Sequence, residues 1–550
     1  MKKIIAILLC TAIIFSLVGC STSSTNKTTS GTEPSTTTTP SEDAVSVAIA
    51  KENDAISMNS MYATDGMSFE MIHATVDGLM DVDADGKIIN ALAESYTISE
   101  DGLVYTFKLR DAQWSNGTPV TANDFVFAWR TCLTSPDAEY NYLFTAGNAS
   151  VLNADAILAG EMEATELGIK AIDEKTLEVT LSAKTPYFLS LMAFTVFYPV
   201  NEEFYNAQNG EYALLPDKML ACGPYKLVNW ERDTKLEFVK NDTYYDVDKV
   251  KIDNLTVNIT AEASTSATAF EAGEVSFTKI SSDLIDKYKD DPAFTQVLEG
   301  YLWYLQPNLN NEIMNNKNLR YALAYAVDKV DLVENVLKDG SVVGNGFVPT
   351  TLAAGPDGKD FRATAGDTHS LDKAKAVEYF EKAKEELDME EITIKLLYET
   401  ADPAKTAAEY LQANLQQNLP GLIVEMDAQS KEARLELQKT REFDVVLTRW
   451  GPDYADPTTY LNMMITGNSY NYGDYVSEAY DAKMAEAASA TDDSVRWTAL
   501  LDAEKILMED LPVIAVFQVG GASLIKDGIT GIEAHSVGVP FIYKNLAVAE

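Results

Sequence analysis

Residues 392–450 read ITIKLLYETADPAKTAAEYLQANLQQNLPGLIVEMDAQSKEARLELQKTREFDVVLTRW. The apolar runs Ile392–Tyr398, Leu422–Met426 and Phe443–Thr448 have the length and composition of buried strands. Between them, Ala404–Leu419 and Ser430–Thr440 repeat their apolar residues at helical spacing. Strand and helix alternating at this interval predict an α/β domain with a largely parallel sheet, since each crossover helix returns the chain in the same direction.

Working outward, Ser370 is placed to cap a helix through Ala374, Val377, Phe380 and Leu387. Asn318–Lys338 carries Leu319, Ala322, Leu323, Ala326 and Val327 on one helical face. The first half is richer in strands, among them Leu103–Leu109, Leu236–Val239 and Leu255–Ile259. After the turn Trp114–Gly117, Thr121 with Asp124 three residues on forms an N-terminal capping pattern for a helix to Leu133. The class is therefore mixed α/β. With 550 residues, 46% of them apolar, the chain is long enough for two to four domains.

Acidic residues outnumber basic ones 84 to 43, giving a formal net charge of -41 that argues against binding nucleic acid or anionic lipid headgroups. A membrane attachment would need an anchor, and the N-terminus offers one. Lys2 and Lys3 precede the apolar run Ile4–Val18, which has the shape of a signal peptide, and Leu17-Val18-Gly19-Cys20 is similar to a bacterial lipoprotein box. In that reading residues 1–19 are removed, Cys20 receives a diacylglyceryl group, and two acyl chains suffice for stable anchoring. Ser21–Glu42 holds 15 Ser or Thr and hardly an apolar group, so 20–44 reads as a flexible tether that suits a Gram-positive surface better than a periplasm. Export allows Cys132 and Cys222 to form a disulfide; the other reading is two buried free thiols.

Few residues suit metal or covalent chemistry. Asp81, Asp83, Asp85 and Gly86 match the first half of a calcium loop, but the twelfth position is Leu92 instead of a bidentate glutamate, which favours an acidic turn between strands. With three histidines and no close Cys or His pair, a transition-metal centre has little to draw on, and no metal or cofactor is implied. Signatures for esterases, nucleotide hydrolases and dinucleotide enzymes are absent from the sequence.

The remaining candidate is the loop after the last strand of the quoted segment, Arg449-Trp450-Gly451-Pro452-Asp453-Tyr454-Ala455-Asp456-Pro457. A hydrolase would use Asp453 and Asp456 as acid and base. Alternatively Asp456, before a proline, starts a turn and binds its own loop, leaving Asp453 for another task.

Five ordered stretches, WSNGTPVTANDFVFAWR (114–130), GPYKLVNWE (223–231), NLRYALAYAVDK (318–329), WGPDYADPTTYL (450–461) and LPVIAVF (511–517), resemble the extracellular solute-binding proteins of peptide ABC importers. The resemblance spans residues 45–550 and implies two lobes hinged by two crossing strands, with an additional α+β domain inserted in the first. Lobe I is then 45–76, 199–302 and 520–550, the inserted domain 77–198, and lobe II 303–519. It further implies a monomeric, non-enzymatic receptor without a cofactor, which captures oligopeptides between its lobes and delivers them to the transmembrane permease subunits. Relatives on the same fold that take an oligosaccharide, a nickel chelate or haem are the alternative.

By the same resemblance Asp453 takes the ligand's α-ammonium. Trp450 and Gly451 pair with its backbone, Gly66 and Met67 supply a contact from the first lobe, and Phe277, Thr278, Lys279, Tyr304 and Asn308 are further contacts. A basic residue that some relatives use for the ligand's carboxyl end is Leu447 here, with Arg449 nearby, and a pocket tryptophan is replaced by Lys431. Lys431 points to acidic ligand side chains, whereas the acidic surface favours basic peptides.

Overall fold

The computed structural model describes residues 44–84, 86–401 and 403–549. Cys20, the signal segment and the tether as far as Asp43 lie outside the described residues. Two long antiparallel strands, Phe294–Pro307 and Ile514–Ile525, form the middle of a sheet that continues on both sides. Near one end Phe277–Ile280 pairs with Ile525–Ala522, while Leu302–Pro307 pairs with Val445–Trp450 towards the other. Beyond Val445–Trp450 come Ile392–Glu399 and Leu422–Gln429.

The alternation at 392–450 has the expected consequence: Ile392–Glu399 is parallel to both Leu422–Gln429 and Val445–Trp450, linked by helices Ala404–Asn418 and Lys431–Lys439. Outside that segment the sheet is antiparallel, so it is mixed, not largely parallel. The long pair runs in opposite directions because one strand leads the chain into the second lobe and the other leads it out. Their register slips between Leu298 and Leu302, around Gly300. A side chain at Gly300 would collide with the Ser536 carbonyl and Pro452, so this crossing admits only glycine.

A second sheet, in the order Ser46–Lys51, Asn254–Ile259, Lys235–Lys240 and Tyr225–Glu231, begins with a parallel pair and continues antiparallel. A third joins Ala93–Ile98, Val104–Leu109, Thr176–Thr180 and Ile169–Asp173, all antiparallel. Three large cores accompany them: one from Leu302 to Val519, one drawn chiefly from residues 61–222, and one from Val47 to Phe277 closed by Phe541, Tyr543 and Leu546. Helix Gly66–Thr75 joins the latter two, giving Phe69 and Ile72 to one and Met71 and Ala74 to the other. This is the expected two-lobed α/β fold with its crossing strands.

Two local expectations are corrected. The helix expected over 318–338 stops at Ala326, and Asp328 caps a new turn by accepting the Asp331 N–H, because its carboxylate competes with the helix backbone. Asp372 rather than Ser370 caps helix Lys373–Leu387. The Thr121–Asp124 capping box forms as read, at the start of helix Ala122–Thr134.

Candidate functional site

Beside the slipped crossing lies a cavity of about 1860 Å³, walled by residues that include members of all three large cores, among them Tyr304, Phe194 and Phe541. Small-molecule pockets are roughly 300–1,000 Å³, so this one has room for an oligomeric ligand. Asp453 lines it, on the loop that follows Val445–Trp450. Although only 9% exposed, its carboxylate has among the described residues a single side-chain donor, the Tyr142 hydroxyl at 2.8 Å on Oδ2. Burial pushes the Asp453 carboxyl up to about 7, against the opposing pull of the Tyr142 hydrogen bond. Burial together with the charge of Asp453 raises the Tyr142 hydroxyl, which therefore stays a donor. A buried acceptor next to open volume, with no ion pair among the described residues, is suited to a cationic ligand group.

Asp456, three residues on, is held quite differently. Arg496, on helix Asp493–Asp510, donates to both its oxygens at 2.7 and 2.8 Å, and the Thr458 N–H and hydroxyl donate to Oδ1. Between the two aspartates Tyr454 is buried and stacks on Tyr187 at 4.5 Å. The Thr459 hydroxyl accepts the Asp453 N–H. Such a loop fixes Asp453 before any ligand arrives. Since Asp456 is engaged on both oxygens, an acid–base pair with Asp453 has no free partner there.

Gly66, Met67, Lys279, Tyr304, Trp450 and Gly451 also line the cavity. Gly451 packs against the Tyr301 ring so closely that a Cβ would strike it. Lys279 is bonded to Glu299 at 2.5 Å. Phe277, Thr278 and Asn308 do not line it. Phe277 points into a core and packs against Phe541, Thr278 is buried with its hydroxyl on the Lys279 carbonyl, and the Asn308 amide holds the carbonyls of Arg441 and Phe443. Strand alternation explains the second case, since Thr278 faces the side opposite Lys279. Leu447 is buried opposite Leu305, while Arg449 lines the cavity over the rings of Tyr301 and Trp303. Lys431 lines it as well.

Sequence reading missed Tyr142 and Arg496, the partners that separate the two aspartates. The doublets Tyr140-x-Tyr142 and Tyr470-x-Tyr472 were the available signal, and Tyr142 does pack edge-on against Tyr470. Elsewhere, Asp81 sits in the hairpin Met80–Val82 with Ile88–Asn90, bonded to His73 at 2.9 Å and Lys544 at 3.1 Å, as an acidic turn requires and a calcium loop does not. Cys132 and Cys222 are buried free thiols. No helix among the described residues is long and apolar enough to cross a membrane.

Residues 87–472 match the family described as bacterial extracellular solute-binding proteins, family 5 (middle). The dipeptide-binding protein DppE of Bacillus subtilis (strain 168) is 30% identical over 98% of this chain and 97% of its own. Among solved structures, the substrate-binding domain of an oligopeptide ABC transporter from Bacillus anthracis has a TM-score of 0.80 at 34% identity, covering 92% of this chain and 99% of that one. Listeria monocytogenes OppA bound to peptide has a TM-score of 0.79 at 33% identity, covering 92% and 100%.

Proposed function

The chain belongs to the bacterial extracellular solute-binding proteins of family 5, and from that premise we propose that it captures oligopeptides in the interlobe cavity and delivers them to an ABC import permease. The observation that carries this reading is Asp453: a buried, preorganised carboxylate with one neutral donor, facing a cavity too large for a single small molecule. A free peptide always presents an α-ammonium, and a charge-assisted hydrogen bond to Asp453 orients it whatever its side chains. The backbone of Trp450 and Gly451 pairs with the extended ligand as an added strand would. Gly66, Met67 and Lys279 complete the contacts from the first lobe.

Lobe I comprises 45–76, 199–302 and 520–550, lobe II 303–519, and the inserted domain 77–198; the presence of three large cores supports a three-part division, with the second core also drawing on lobe I residues such as Phe69 and Cys222. Ligand contacts on both lobes favour a closed form that the permease recognises, with the slipped crossing at Gly300 as the hinge. No covalent step is involved. The protein acts as a monomer outside the cytoplasmic membrane, tethered through lipid on Cys20, at a Gram-positive surface. Native mass spectrometry of the purified protein, followed by denaturation, tests the function. Intact co-purified peptides are expected, whereas a bound glycan or chelate, or catalytic turnover of added peptide, overturns it. Loss of membrane association in Cys20→Ala is expected, and unchanged association refutes the anchor.

A further inference from the structure

Beyond Asp453 the cavity wall holds two buried N–H groups with no acceptor among the described residues, and beside them an exposed ammonium. Arg434 is 3% exposed; one terminal nitrogen donates to Gln438 and Thr448 at 2.7 and 2.9 Å and the other to Glu399 at 2.9 Å, but its Nε has no acceptor. The buried indole Nε1 of Trp450 likewise lacks one. Lys431 lies on the same helix, one turn earlier, and its ammonium makes no hydrogen bond or ion pair among the described residues. Its neighbour Glu432 is turned to Ser430 at the helix N-terminus. Glu399 neutralises Arg434, whereas Lys431, which acts on the carboxylate of Glu432 through space, keeps its ammonium free of any direct hydrogen bond among the described residues.

These groups adjoin the ammonium site. Tyr142, bonded to Asp453, packs against Tyr470, which in turn packs against Trp450 at 5.0 Å and Tyr472 at 6.1 Å. Thr448 and Trp450 share one face of their strand by alternation, the face on which Arg434 bonds Thr448. Thr448 precedes Asp453 by five residues, at most roughly 17 Å of extended chain. An early side chain of a peptide held at Asp453 therefore reaches this wall.

We propose that the pocket formed by Tyr304, Lys431, Arg434, Thr448, Trp450 and Tyr472 is a carboxylate-selecting subsite, so that the protein favours peptides with Asp or Glu near the N-terminus. The inference rests on the peptide-binding reading above. A carboxylate is acceptor-only and has enough lone pairs for the two unpartnered N–H groups and the Lys431 ammonium; a glutamine amide offers one acceptor oxygen, and a lysine adds donors to donors. The net charge of -41 repels acidic ligands at long range, but screening over about 8 Å at physiological salt leaves the decision to the local cations.

The carboxylate could be a side chain or the C-terminus of a short ligand, and the experiment separates these sources. Isothermal titration of the full-length protein in detergent would compare alanine tetrapeptides carrying Glu, Gln or Lys at positions one, two or three, each with a free or an amidated C-terminus. At one of these positions Glu should bind about tenfold more tightly than Gln, and more tightly still than Lys, with either C-terminus. In Lys431→Glu, an exposed position, the Glu-to-Lys ratio should invert. Equal affinities for Glu, Gln and Lys overturn the subsite while leaving the receptor intact. A preference that vanishes on amidation assigns the donors to the C-terminus and overturns the side-chain claim. Failure of every peptide to bind overturns the peptide reading itself.

Discussion

The two ends of the loop 453–456 carry the same buried functional group in opposite states. At the Asp456 end a bidentate guanidinium and the loop's own Thr458 satisfy both oxygens. At the Asp453 end one tyrosine hydroxyl is the only side-chain donor among the described residues, and the carboxyl is pushed up to about 7 by burial. Burial alone therefore does not mark a binding residue. What distinguishes Asp453 is a deficit of compensating charge next to open volume, whereas Asp456 is complete without a ligand.

The contrast breaks first on stability. Asp456→Ala strands Arg496 as an unpaired buried cation and should cost roughly 3–5 kcal/mol, read as a lower thermal midpoint and earlier denaturant unfolding. Asp453→Ala should leave the midpoint unlowered, since no buried cation loses its partner, yet weaken free peptides by about 2–5 kcal/mol in titration calorimetry. If both variants lose stability alike, the two ends are equivalent and the distinction fails.

A smaller effect sharpens the comparison through pH. Burial raises the Asp453 carboxyl, and a bound ammonium favours the anion, so binding below about pH 7 must expel a proton. Affinity should fall about tenfold per unit as pH drops below 7, the limiting slope for one proton. It should fall again above about 8, where the peptide's own amine deprotonates. Calorimetry in buffers of different ionisation enthalpy counts that proton, and the acidic limb should be missing in Asp453→Ala. Smallest is Tyr142→Phe: removing the hydrogen bond that lowers the Asp453 carboxyl should move the acidic limb to higher pH and cost about 1 kcal/mol in affinity at neutral pH.

Much of this arrangement was legible along the chain where interactions are local. The alternation at 392–450 yielded its strands, helices and parallel pairing, and the capping box at Thr121 formed as read. Asp456 was recognisable as a turn former because it precedes proline and bonds two residues on. Periodicity failed at Val327–Asp328, where apolar spacing continues but an aspartate cap restarts the chain. Strand direction in the long pair was invisible because it depends on how the chain enters and leaves the second lobe. Asp453 came from a family resemblance; the residues that define its chemistry are distant, Tyr142 lying 311 positions away and Arg496 40 positions from Asp456. Pairings at that separation leave no periodic trace, and the tyrosine doublets at 140–142 and 470–472 were the one hint of them.

The central claim, that Asp453 is an ammonium acceptor and Asp456 its brace, is tested most directly by one double comparison. The binding of a free peptide and of its N-acetylated form would be measured by calorimetry at pH 7.5 on the wild-type protein and on Asp453→Ala. The account predicts that the wild type prefers the free peptide by an order of magnitude or more and that the variant binds both forms with nearly the same affinity. An equal loss for both forms in Asp453→Ala, with the wild-type preference for the free amine intact, would contradict it.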